Sequence, residues 1–127
     1  MFSHIAVGAN DIEAAKKFYD SIFATLGVPA ATINAKGKLV YNGDTGFFLV
    51  TKPVNGQPAT AANGGTIGFA APSPEVIDAW HAAGVANGGT TCEDPPGIRH
   101  MPNGDLYLAY LRDPTGNKLC ALYRVKS

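Results

Sequence analysis

Apolar positions recur every three or four residues in two stretches, and this spacing predicts two amphipathic helices. The first helix begins after Asn10, whose side chain can cap it while Glu13, three residues later, completes a capping box. It ends at Gly27. Its apolar face comprises Ile12, Ala15, Tyr19, Ile22, Phe23 and Leu26.

The second helix repeats the first at an offset of 62 residues, the distance from His4 to Thr66. Ser73 caps it, and Pro74 is its first residue, where a missing N–H costs nothing. It ends at Gly88–Gly89, and its apolar positions are Val76, Ile77, Trp80 and Val85. The chain therefore consists of two related units.

Short apolar runs between turn residues predict four strands in each unit. One strand precedes each helix, at 4–9 and at 66–71. Three follow it, at 31–35, 38–41 and 47–51 in unit one and at 90–93, 106–111 and 118–123 in unit two.

The resulting order is βαβββ-βαβββ, an α+β fold. Unit one spans 1–52, unit two spans 66–127, and a linker at 53–65 is rich in Pro, Gly, Ala and Asn. With a helix on one face of each unit, the opposite faces are expected to form a half-closed mixed-sheet barrel with a central cleft, all within a single domain of 1–127.

Composition narrows the possible partners. Ten basic and ten acidic residues give a formal net charge of zero, which argues against nucleic acid as a partner. No signal peptide or long apolar run is recognisable, so a cytoplasmic protein without a membrane partner is expected. The two cysteines, Cys92 and Cys120, are then expected to be reduced thiols.

The opening His4-Ile5, the Asn10-Asp11 pair and the ending Arg112-Asp113-Pro114-Thr115-Gly116-Asn117 together resemble the vicinal oxygen chelate superfamily, the glyoxalase/bleomycin resistance protein/dioxygenase group. The resemblance covers nearly the whole chain. It implies a cleft that holds a divalent metal (Zn, Ni, Mn or Fe), which acts as a Lewis acid on two neighbouring substrate oxygens. Asp113 and Asn117 are interpreted as structural residues of the turn.

The family's metal ligands are His or Glu, and only one expected position carries such a residue here. His4 stands at the first position, although a hydrogen-bonded strand residue is its simpler interpretation. Thr66, Cys120 and the apolar Phe48 or its neighbour Leu49 stand at the others. Because a catalytic zinc site uses three protein ligands, no metal cofactor is expected.

The stretch 95–110 supplies further candidates for the cleft. Arg99 and His100 could bind a carboxylate or phosphate, or could lie in a solvated loop. Tyr107 and Tyr110 lie on opposite faces of one strand, so at least one of them should reach the cleft.

These residues favour a homodimeric protein of this family that binds a small organic molecule in its cleft without the usual metal, while catalysis stays open. One alternative is a metal-dependent lyase or isomerase like lactoylglutathione lyase, or a dioxygenase, that uses His4. Another is a drug-sequestering protein of the bleomycin-resistance type.

Overall fold

The computed structural model describes residues 1–126 as eight strands and two helices. The first half of the chain forms β1 (His4–Gly8), α1 (Ile12–Thr25), β2 (Leu39–Asn42) and β3 (Phe47–Thr51). The second half forms β4 (Ile67–Ala70), α2 (Pro74–Ala86), β5 (Thr90–Thr91), β6 (Gly97–Met101), β7 (Gly104–Arg112) and β8 (Lys118–Arg124). No helix within 1–126 is long and apolar enough to cross a membrane.

The strands form two sheets that do not close into a barrel. The first has the order β1-β3-β2, and the second has the order β4-β8-β7-β5, with β6 also paired to β7. In both sheets the strand before the helix lies parallel to the last strand of its unit. The predicted α+β fold with two related units and a half-closed cleft is confirmed.

Two strand predictions are corrected. The run 31–35 forms only an isolated bridge between Ile33 and Leu39. The sequence does not predict β6, because Arg99 and His100 suggest a loop. All five residues of β6 nevertheless pair with β7 across a tight hairpin. Pairing with a long strand thus overrides the polar local sequence.

The helix starts agree with expectation in one case only. Ser73 caps α2 as predicted, with its Oγ accepting from the Val76 N–H at 3.2 Å. Asp11, not Asn10, caps α1, and its carboxylate accepts from the Ala14 N–H at 3.0 Å. Asn10 is unavailable as a cap because its side chain bonds Ala59.

The core lies between the helices and one face of each sheet. Five aromatic rings, with neighbouring centroids 4.8–6.2 Å apart, join α1 to both sheets: Tyr19, Phe23, Tyr41, Phe48 and Phe69. Gly84 lets α2 approach closely, since a Cβ there would lie 2.4 Å from the Leu111 side chain. We call the sheet faces covered by α1 and α2 the helix face, and the opposite ones the open face.

A buried carboxylate connects the two units. Asp113 is 5% exposed, and its Oδ1 accepts from the N–H groups of Thr115, Gly116 and Asn117, each at 2.9 Å. Its Oδ2 accepts from the Tyr19 hydroxyl of α1 at 2.5 Å and from the Asn117 amide at 2.8 Å. The same amide donates to the Gly8 carbonyl at the end of β1. Asp113 and Asn117 therefore hold α1, β1 and the last turn together.

Replacing Tyr19 with Phe should destabilise the fold by about 1–3 kcal/mol, because a buried carboxylate loses a donor that water cannot replace. The matched control is Tyr41→Phe, since the Tyr41 hydroxyl also donates to a carboxylate, that of Asp20. The Asp20 side chain is 23% exposed, so water can replace the lost donor and the destabilisation should be smaller. Urea unfolding measures both, and an equal loss in the two variants would contradict this role for Asp113.

The pKa of Asp20 is lowered below its ordinary value. Burial alone would raise it, but hydrogen bonds from Lys16, Tyr41 and the Ala31 N–H favour the ionised form more strongly. A carboxyl group whose pKa is lower in the folded than in the unfolded chain stabilises the fold above its unfolded pKa. This stabilisation is lost as the pH falls through the folded pKa.

The variant Asp20→Asn should therefore be less stable than the wild type at neutral pH, and the difference should narrow below about pH 4, where the carboxyl begins to protonate in the unfolded chain. Urea unfolding between neutral and acidic pH measures this. The exposed Asp44, changed to Asn, serves as the control and should show little difference at any pH. A difference for Asp20→Asn that stays constant into the acid range would refute the lowered pKa.

Candidate functional site

Strand alternation and register place five of the eight predicted site residues on or beside the open face. Tyr110 and Cys120 are cross-strand neighbours on the open face, since the flanking Leu111 and Leu119 point into the core. Arg99 pairs with Leu106, in step with Tyr110 along β7. His4 and Thr66 complete the group, the first on β1 and the second immediately before β4.

The structure places the other three candidates elsewhere. Phe48 points into the core and packs on Tyr19 and Phe23, so its neighbour Leu49 is the one on the open face. Tyr107 lies on the helix face, where its hydroxyl donates to Asp78 of α2 at 2.7 Å. His100 also lies on that face, at the hairpin end, paired with Asp105. The predicted placement of these three side chains in the cleft is therefore corrected.

Two cavities lie at the carboxyl end of β1. The smaller, of about 300 Å³, lies where β1 meets β4, and its lining includes Thr66 and Lys118. We call it the junction pocket. The larger is an open groove of about 1240 Å³ at the end of β1 and β3, bounded by parts of the segments 33–38 and 51–60. Both are lined by Ala6, Val7, Gly8 and Thr60.

The predicted linker forms a wall of both cavities. It crosses the open face at Gly8, where a Cβ would lie 2.9 Å from the Cβ of Ala59, so only glycine allows this crossing. The Asn10 amide fixes it there by donating to the Ala59 carbonyl at 3.0 Å and accepting from the Ala59 N–H at 2.6 Å. Asn10, which also lines the larger groove, thus helps to determine the shape of the site.

The variant Asn10→Ala should loosen the segment 53–60, because both hydrogen bonds to Ala59 are lost while α1 keeps its Asp11 cap. Amide hydrogen exchange should then become at least about ten-fold faster in this segment and stay unchanged in α1. Asn63→Ala, an exposed change in the same linker, is the control and should leave the exchange unaltered. Unchanged exchange in Asn10→Ala would show that other contacts hold the linker.

The donor groups at the expected ligand positions do not suit a divalent metal. His4 is exposed, stacks on Phe47 with ring centroids 4.7 Å apart, and shares a hydrogen bond with the Ser3 hydroxyl. Burial raises the pKa of the Cys120 thiol, which disfavours the thiolate that binds metals. Within residues 1–126, no three His, Cys, Asp or Glu side chains cluster closely enough to hold an ion.

A polar cluster on the open face lies next to the junction pocket. The Lys118 ammonium forms an ion pair with Glu93 and lies 5.0 Å from the centre of the Tyr110 ring. Glu93 has a φ of +58°, a conformation that costs a non-glycine residue energy. Burial raises the pKa of Tyr110, so its hydroxyl stays protonated. This cluster offers a cation, the carboxylate paired with it and a phenolic hydroxyl.

Sequence reasoning missed most of the cavity lining. Ala6, Gly8 and Thr60 carry no distinctive chemistry, and the sequence around Lys118 indicates only the start of a strand. One signal was available: a linker rich in Pro and Gly is a loop, and loops carry a disproportionate share of binding residues.

Comparison with known proteins identifies relatives of the whole chain. Residues 1–121 match the model of the family described as Glyoxalase/Bleomycin resistance protein/Dioxygenase superfamily. A glyoxalase/bleomycin resistance protein from Albidiferax ferrireducens T118 is 60% identical, with a TM-score of 0.94 and coverage of 98% of this chain and 99% of that chain. A search of curated proteins gave no match.

Two more distant solved structures share the fold. A lactoylglutathione lyase from Agrobacterium tumefaciens is 24% identical, with a TM-score of 0.66 and coverage of 96% of this chain and 92% of that chain. A glyoxalase-related enzyme from Fulvimarina pelagi is 18% identical, with a TM-score of 0.74 and coverage of 98% of this chain and 88% of that chain. At these identities the likeness concerns the fold alone.

Proposed function

The chain belongs to the glyoxalase/bleomycin resistance protein/dioxygenase superfamily, and from this premise we propose that it binds a small organic molecule at the junction of its two units, without a bound metal. The observation that carries the proposal is that the two cavities share Ala6, Val7, Gly8 and Thr60. A ligand seated there contacts both units and the linker. Sites of this kind, concave and partly apolar, are typical for small molecules.

The metal-free part of the proposal is supported by the donor chemistry. One exposed imidazole, a hydroxyl and a buried thiol stand at the positions where the family has His and Glu, namely His4, Thr66 and Cys120. A neutral hydroxyl and a protonated thiol are weak ligands for Zn or Ni. The site instead holds its ligand through shape and hydrogen bonds.

The proposal includes a cytoplasmic homodimer, as the sequence suggests. The exposed side chains of Phe2 and Phe47, which are 70% and 38% exposed, are apolar surface that a second copy could cover.

Filling the shared floor of the cavities should abolish ligand binding. Ala6 is exposed on β1 and lines both cavities, so Ala6→Trp occupies the site without entering the core. Compounds that raise the melting temperature of the wild type in a small-molecule screen should fail to do so with this variant. Ala82→Trp, at an exposed position of α2 outside both linings, should behave like the wild type. Equal responses in both variants would place the site elsewhere.

Metal analysis tests the proposal that the protein binds no metal. Protein purified without a chelator should contain far less than one Zn, Ni, Mn or Fe per chain, and His4→Ala should not change that content, because one imidazole does not retain a metal. Elemental analysis by mass spectrometry measures this. About one metal per chain, lost in His4→Ala, would overturn the metal-free proposal and favour a glyoxalase-type lyase.

A further inference from the structure

We propose that the molecule bound at the junction is an organic anion, recognised by the positive charge of the open face of the second sheet, with Lys118 as the direct contact. This inference rests on the function proposed above and names the ligand class of the same site. Its basis is the distribution of charge over the two faces of one sheet.

The charges on β6, β7 and β8 are segregated by face. The register of the strands places all of their lysine and arginine residues on the open face: Arg99, Arg112, Lys118 and Arg124. The one carboxylate on the same strands, Asp105, lies on the helix face and pairs with His100. Because the formal charge of the whole chain is zero, this separation gives the open face a local positive field.

The three arginines have no carboxylate partner within 1–126, where the ion pairs are Lys16–Asp20, His100–Asp105 and Lys118–Glu93. Arg99 donates to the backbone carbonyls of Gly97 and Asp94, both at 3.0 Å, and Arg112 donates to that of Gly116 at 2.8 Å. These neutral acceptors fix the guanidinium groups and leave their charge uncompensated. An anion on this face therefore meets an attractive field.

Lys118 is the one of these four cations that lines the junction pocket. It lines the junction pocket together with Thr66, whose hydroxyl is a further donor. An ammonium group has three N–H donors, and the contacts of this one are the Glu93 carboxylate and the Tyr110 ring. A donor is left for a carboxylate or similar group in the pocket. Glu93, held in its left-handed conformation, orients Lys118 and also competes with the ligand for it.

Matched pairs of compounds test the charge requirement. Benzoate and benzamide, and hexanoate and hexanamide, have nearly the same shape and differ in charge. In titrations of ¹⁵N-labelled protein, the carboxylates should shift the amide resonances of Gly65, Thr66 and Lys118, with affinity at least about five-fold above that of the amides. Lys118→Met should weaken carboxylate binding about ten-fold or more, whereas Lys17→Met, an exposed change on α1, should not.

The variant Glu93→Gln is an independent test. It removes the side-chain carboxylate that competes for Lys118, so the carboxylate compounds should bind more tightly. Equal affinity for acid and amide overturns the anion assignment, and carboxylate binding unchanged in either Lys118→Met or Glu93→Gln overturns the role given to Lys118. In the first of these results the junction pocket still binds small molecules, so the proposed function survives. If no carboxylate shifts these resonances, the anion assignment also fails, and the Ala6→Trp screen decides separately whether the site binds other compounds.

Discussion

The buried carboxylate of Asp113 is the interaction on which the arrangement of the two units depends. It carries a negative charge into the protein interior without a cationic partner, and three backbone N–H groups, a tyrosine hydroxyl and an amide satisfy it. Such a site tolerates little displacement, because each lost donor leaves part of a charge unsolvated. The turn before β8, α1 and the end of β1 are consequently held in one geometry, and Asn117 of the turn and Gly8 of β1 both line the junction pocket.

The repeat and the helices could be predicted because they follow from local periodicity, whereas long-range partners decided the details. Asn10 and Asp11 are both good caps, and the choice between them depends on Ala59, 49 residues away. Phe48 and Leu49 differ by one strand position, so only the register of β3 against β1 shows which faces the core. For β7, alternation correctly separated Tyr107 from Tyr110, but the sequence could not say which side the helices cover.

The family's fold is retained, while the loss of the metal site belongs to the function proposed above. The turn from Arg112 to Asn117, which supports the family resemblance, serves stability through Asp113, and its neighbour Lys118 reaches the cavity. Positions that can hold metal ligands in the family carry a hydroxyl and a buried thiol. In the function proposed above, the ligand is selected by charge and by its fit to the floor that includes Gly8, and changes in the linker are expected to alter that selection without disturbing the core.

The division of the outer edge of the second sheet between β5 and β6 has a further consequence. The two strands pair with opposite ends of β7, and Pro95 and Pro96 lie in the chain between them. β5 has two residues, and β6 presents Arg99 and His100 within its five, so neither offers a long, uncharged edge. Short and charged edges are a poor template for a strand of another molecule. The break between β5 and β6, which makes β6 hard to recognise in the sequence, therefore also makes this edge of the sheet a poor site for aggregation through edge pairing.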